Sequence, residues 1–98
     1  MELLFNEQDI VDSVCVYTAA RENTVPERVE VDLEYTPSIG FGASALVYGR
    51  NVRLHEQDVI DAVALYLQDY HQFIPERLLI NLSFSETDGF SASIKITG

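Results

Sequence analysis

The chain has 98 residues, a formal net charge of −10 at pH 7, a single lysine and a single cysteine. That length is one domain. The acid excess offers no basic footprint for nucleic acid and would be repelled by an anionic membrane surface. No apolar run approaches the ~20 residues of a spanning helix, no charged-then-apolar leader pattern opens the chain, and lone Cys15 cannot close an intramolecular disulfide, so a cytoplasmic location is expected.

Glu7-Gln8-Asp9-Ile10-Val11-Asp12 comes back as Glu56-Gln57-Asp58-Val59-Ile60-Asp61, an offset of 49 residues that needs no gap. Pro26-Glu27-Arg28 returns as Pro75-Glu76-Arg77, Gly40-Phe41 as Gly89-Phe90, Ala43-Ser44 as Ala92-Ser93, and Gly49 as Gly98. Fifteen of the 49 aligned pairs are identical, and many others exchange one apolar residue for another. Two copies are too few for a solenoid. The expectation is a single domain, 1–98, built from repeats 1–49 and 50–98 around a pseudo-two-fold axis. A half of that size is marginal on its own, so the halves should share one core. Their charges differ: −7 for the first and −3 for the second.

In chain order, Met1 to Phe5 is apolar enough for an edge strand. Asn6 suits a helix N-cap, its side-chain oxygen accepting an orphan N–H. Asp9 stands where a capping-box acid reaches back, and Glu7 and Asp9 favour the positive end of the helix dipole. A repeated acidic cation site is the functional rival. His55 takes the place of Asn6 in the second copy and is a poorer cap. The first helix runs roughly from Glu7 to Glu22, with Ile10, Val11, Val14, Tyr17 and Thr18 at the spacing of one buried face. The second, roughly Glu56 to His71, repeats this with Val59, Ile60, Val63, Tyr66, Leu67 and Tyr70. Cys15 reads as an inert small hydrophobe beside the stripe.

Val25-Pro26 ends the first helix, because proline disfavours helical geometry in the residue before it. Arg28 to Tyr35 then alternates: Val29, Val31, Leu33 and Tyr35 to one side, Glu30, Asp32 and Glu34 to the other, the mark of a half-buried antiparallel strand. In the second copy Leu78, Ile80, Leu82 and Phe84 point in. Hairpin loops of four or five residues lead through Gly40 and Gly89 to return strands Phe41–Tyr48 and Phe90–Thr97. Gly49 is read as a bulge, after which the first unit's last strand runs on as the second unit's first. Glu27-Arg28 and Glu76-Arg77 are expected to form charge pairs at the helix-to-strand joints.

The fold class is therefore α+β: tandem (β)αββ units, with two helices on one face of a mainly antiparallel sheet. The β-α-β-β-α-β order within it makes a ferredoxin-like arrangement the alternative. The open sheet face should carry Glu30, Asp32 and Glu34, together with Leu46, Tyr48 and Leu79, a modest apolar set of the kind that marks interaction surfaces.

Catalytic chemistry is not visible. His55 and His71 stand ~24 Å apart by helical rise and cannot share a metal. There is no zinc spacing, no calcium loop, no phosphate-cradling glycine loop and no nucleophile elbow. Cys15 has no neighbouring base. No catalytic residue, metal or cofactor is expected.

The run Phe5-Asn6-Glu7-Gln8-Asp9-Ile10-Val11-Asp12-Ser13-Val14-Cys15-Val16-Tyr17-Thr18-Ala19, with Glu22-Asn23-Thr24-Val25-Pro26 and Val29-Glu30-Val31-Asp32-Leu33 after it, resembles the start of the small YxcD-like proteins of Bacillus. The likeness is clear over the first half and vaguer over the second. It implies a bacterial cytoplasmic setting and brings no site residues with it. The functional expectation is a non-enzymatic interaction module that meets a protein partner or a second copy of itself through the open face or a free edge. A small-molecule or cation binder is the rival, and a small enzyme the third reading.

Overall fold

The structure is a computed structural model that describes residues 1–97; the repeat partner of Gly49, Gly98, lies outside the described residues. Its elements are β1 (Glu2–Phe5), α1 (Glu7–Arg21), β2 (Val29–Thr36), β3 (Gly40–Val47), β4 (Arg50–His55), α2 (Glu56–His71), β5 (Leu78–Ser85) and β6 (Gly89–Ile96). A 3-10 turn, Pro26–Arg28 or Pro75–Arg77, links each helix to the next strand.

Residue choice explains each boundary. Asn6 Oδ1 accepts the Asp9 N–H at 2.8 Å, and Asp9 Oδ2 accepts the Asn6 N–H at 2.9 Å, a complete capping box. At α2, Asp58 Oδ2 accepts the His55 N–H at 2.9 Å. Gln8 donates to Asp12 at 2.8 Å and Gln57 to Asp61 at 2.9 Å, one helical turn on. The α1 chain leaves through Asn23 at φ +57°, with the Thr24 N–H returning to the Ala19 carbonyl at 2.9 Å, the closure of a Schellman-type end.

The expected single sheet is divided in two: β1-β6-β5 and β2-β3-β4, every pairing antiparallel. The first strand of each unit pairs with the hairpin of the other unit. β1 lies on β6 and β4 lies on β3. The ferredoxin-like alternative is not adopted, since β1 runs antiparallel to β6 at the edge of its sheet. Nor does β3 run on into β4. Tyr48 (φ +52°) and Gly49 (φ +75°) are both left-handed, the requirement of a two-residue type I′ hairpin, so Gly49 makes a turn and not a bulge. At the pseudo-equivalent place the Ile96 N–H donates to the Met1 carbonyl at 2.9 Å. Met1 and Ile96 thus meet where the other half has its hairpin.

Both helices lie on one side of the two sheets. The molecule measures 41 × 31 × 19 Å, and 19 Å accommodates one helical and one sheet layer at ~10 Å each. The core lies between them: Ile10 and Val14 from α1, Val59, Val63 and Leu67 from α2, Ala43, Ala45 and Val47 from β3, Leu54 from β4, Ala92 and Ile94 from β6. Alanines on the two central strands let the helices approach closely. The α1 stripe is rotated from the expected one. Ser13 and Ala19 are buried, while Val11 and Tyr17 are only half-buried. Ser13 can be buried because its hydroxyl donates to the Asp9 carbonyl at 2.8 Å.

Two contacts bind the halves at the pseudo-axis. Glu56 Oε1 accepts the Phe41 N–H at 3.0 Å, and Glu7 Oε1 accepts the Phe90 N–H at 3.2 Å. Each helix start thus grips the hairpin of the other unit. Beside them, Tyr35 stacks on its repeat partner Phe84 at 5.4 Å, and Phe41 meets its own partner Phe90 edge-on at 6.3 Å. Two pairs of equivalent residues can touch only where the axis passes.

Gly89→Ala should destabilise the protein more than Gly49→Ala. Each costs about 1–2 kcal/mol for left-handed backbone. At Gly89, however, a Cβ would also stand 2.7 Å from Glu7 Oε1, whereas Gly49 faces open space. Calorimetry of the two variants and of Glu7→Ala/Gly89→Ala checks this. The double variant should lose less than the sum of the singles, and strict additivity would remove Glu7 from the contact. A circular permutant opened between Gly49 and Arg50, with Gly98 joined to Met1, should fold cooperatively. The isolated segment 1–49 should not fold as a monomer, and a cooperative melting transition from it would contradict the shared core.

Candidate functional site

The helix-free faces of the two sheets differ in chemistry. On β2-β3-β4, strand register places Glu30 beside Leu46, Asp32 beside Ser44 and Glu34 beside Gly42. Arg53 on β4 pairs with Glu34, reaching over Gly42, where a Cβ would stand 2.9 Å from the Leu54 carbonyl oxygen. Glu30 and Asp32 remain without an ion-pair partner among the described residues. On β1-β6-β5 the corresponding face carries Leu79 beside Lys95 and Asn81 beside Ser93, with Glu2 and Leu4 of β1 on the other side of Lys95 and Ser93. One face is acidic; the other is nearly neutral.

The six residues expected on the open face are therefore not one patch. Leu46 and Leu79 are exposed on different sheets. Tyr48 is exposed, but as a turn residue its hydroxyl folds back to donate to Thr24 Oγ1 at 2.8 Å. Glu30, Asp32, Glu34 and Leu46 do share a face. The joints at Pro26-Glu27-Arg28 and Pro75-Glu76-Arg77 are not charge pairs. The described ion pairs are Arg21–Asp58, Arg50–Glu22 and Arg53–Glu34, and the repeated tripeptide supplies a proline-started 3-10 turn instead.

The helical side of the molecule breaks the symmetry. In one half Tyr17 and Arg21 of α1 converge on Asp58 of α2. Asp58 Oδ1 accepts from both the Tyr17 hydroxyl and the Arg21 guanidinium at 3.4 Å, and the guanidinium lies 5.3 Å from the Tyr17 ring centroid. Arg50 pairs with Glu22 alongside. In the other half Tyr70 stands at the position of Arg21, His71 at that of Glu22 and Met1 at that of Arg50. Tyr70 stacks on Tyr66 at 4.7 Å, and Phe5 meets Tyr66 edge-on at 6.2 Å. Tyr66 therefore separates two open crevices, one of 360 Å³ over Asp12, Cys15 and Tyr70 and one of 370 Å³ over Leu3, Asp9 and Phe73. Sequence reasoning placed Tyr66 and Tyr70 in the core stripe. The repeat alignment at Arg21/Tyr70 was the signal for this site.

Electrostatics divide along the same line. Burial raises the Tyr17 and Tyr66 hydroxyls above the ordinary tyrosine range. Arg21 pulls Tyr17 partly back, whereas Asp12, Tyr70 and Asp9 push Tyr66 further up. Cys15 is also raised, first by burial and then by Asp12, and its thiol lies 3.6 Å from the Val29 carbonyl. Among the described residues no group of three or more His, Cys, Asp or Glu side chains could hold a metal ion.

A raised thiol pKa means less thiolate at neutral pH. Iodoacetamide should thus modify Cys15 at pH 8 more slowly than it modifies the denatured chain, as mass spectrometry would show; equal rates would contradict the burial. For stability, the Cys15 contribution is whole below the unfolded thiol pKa and is lost as pH rises through the folded one.

No helix of the described chain is long and apolar enough to cross a membrane. No solved structure matches the chain. Uncharacterized protein YxcD of Bacillus subtilis (strain 168) is 50% identical over 46 residues, 46% of this chain and 45% of that protein, so the chain spans about half the length of the curated relative it matches. The family model described as "Protein of unknown function (DUF2653)" matches twice, over residues 1–53 and 49–98. These are the two units whose first strands are exchanged in the fold, and the chain belongs to the DUF2653 family.

Proposed function

We propose that the protein is a non-enzymatic cytoplasmic interaction module that associates with a second copy of itself through the outer face of β1-β6-β5. The observation that carries this reading is the uncovered, nearly neutral face in which Leu4 is 77% and Leu79 57% exposed. Between them lie Ser93 and Lys95, with Glu2 opposite Lys95. A two-fold contact is self-complementary by nature, and this face carries both an acid and a base to exchange across it. The β2-β3-β4 face would instead set Glu30 and Asp32 against their own copies, which disfavours self-pairing there. A three-strand face covers only ~27 Å by ~14 Å at standard strand spacings, at the low end for a specific interface, so the dimer is weak and reversible.

Sedimentation velocity over a wide concentration range tests the proposal. The expected result is a monomer–dimer equilibrium that Leu79→Asp abolishes without lowering the melting temperature, and that Asp32→Asn leaves intact. A wild-type chain that stays monomeric at every concentration rejects self-association. A Leu79→Asp chain that dimerises as well as wild type rejects this face.

A further inference from the structure

The two halves serve as internal comparisons for each other. In the closed half, Asp58 uses Oδ2 for the His55 N–H and Oδ1 for the Arg21 guanidinium. In the open half, the equivalent Asp9 uses Oδ2 for the Asn6 N–H, and no described group donates to its Oδ1. The cation that should meet Oδ1 is missing because Tyr70 stands where Arg21 does. The flanking seam is also undone. Arg50–Glu22 and Tyr48–Thr24 close one side, whereas Met1/His71 and Thr97/Phe73 occupy those positions on the other. The 370 Å³ crevice between β1 and α2 remains, lined by the Asp9 carboxylate and the His71 imidazole as well as by Leu3, Leu4, Leu67 and Phe73. That volume lies within the range of small-molecule sites, and an apolar lining with a few placed polar groups is their usual make-up.

We infer that this crevice binds an organic cation with an apolar body, its ammonium or guanidinium group on Asp9 Oδ1 beside Tyr66 and its hydrocarbon against Leu3, Leu67 and Phe73. The bound cation supplies from outside what Arg21 supplies from within. A carboxylate accepting a charge-assisted hydrogen bond in a partly desolvated place discriminates strongly for cations, and the Tyr66 ring adds cation–π attraction. Leu4 borders both this crevice and the outer sheet face, whereas Asp9 borders the crevice and Leu79 the outer face, so Leu79→Asp, which removes self-association, should leave cation binding in place. The same head group could come from a free amine or from an arginine side chain of a partner, and the two are separable by experiment.

Heteronuclear NMR titration of the full chain with n-hexylammonium, n-hexanol, hexanoate and N-acetyl-arginine amide provides the test. Saturable shifts at Leu3, Asp9, Tyr66, Leu67 and Phe73 are expected with hexylammonium, weaker by about tenfold or more with hexanol and absent with hexanoate. Tighter binding of N-acetyl-arginine amide than of hexylammonium assigns the site to an arginine side chain, and the reverse order assigns it to a free amine. Asp9→Asn keeps an acceptor for the Asn6 N–H and should lose cation binding while remaining folded. Tyr70→Arg installs the residue found in the closed half and should also abolish binding, whereas Tyr70→Leu should retain it. Hexylammonium that fails to shift these residues, or that binds Asp9→Asn or Tyr70→Arg as well as wild type, overturns the inference.

Discussion

Each half of this molecule lacks an edge that only the other half supplies. A (β)αββ unit makes a two-stranded hairpin and a helix, and two strands are marginal in water. Here the third strand of each sheet comes from the other unit: β1 completes the β5–β6 hairpin, and β4 completes β2–β3. That exchange makes the repeats inseparable and puts both helices over both sheets. It also brings Met1 beside Ile96, where the other half has the Tyr48-Gly49 turn.

The repeated residues are best understood as fittings for that exchange. Glu7 and Glu56 were open to a reading as an acidic cation site. Their carboxylates instead accept backbone N–H groups of the opposite hairpin, and the glycine beside each accepted N–H leaves room for the approaching oxygen. Asp9 and Asp58 cap helices; Gln8 and Gln57 bond one turn on. Nearly every identity between the repeats thus has a structural cause, so functional differences are to be sought where the repeats diverge.

They diverge on both sides of the molecule. On the sheets, Glu30, Asp32 and Leu46 oppose Leu79, Asn81 and Lys95 at equivalent positions, giving one acidic and one neutral face. On the helices, Arg21 and Tyr70 decide whether a polar seam is shut or a crevice stays open. A duplicated chain can keep one copy of a surface for its own stability and release the other for a ligand, because stability needs the contact only where the core demands it.

Periodicity and local chemistry were legible without coordinates. The two-residue alternation assigned Val29, Val31 and Leu33 inward and Glu30 and Asp32 outward; Asn6 marked the start of α1 and Pro26 the turn beyond its end; the offset of 49 announced the pseudo-axis. These signals are carried by neighbouring residues and their own backbone, so they survive in a one-dimensional string. Strand partnership was not legible, because the hydrogen-bond capacity of an edge is the same for any strand. The positive φ of Tyr48 and Gly49, which turned a supposed continuous strand into a hairpin, depends on how the two ladders close. Burial of Ser13 likewise rests on a helix packed over it, and the open crevice on Asp9 and Tyr66, 57 residues apart, being brought together. The sequence by itself determined which side of the β2 and β5 strands is apolar; only the tertiary structure decided which elements meet and which helix stripe they cover, because that choice is made by chain closure across distances no local pattern records.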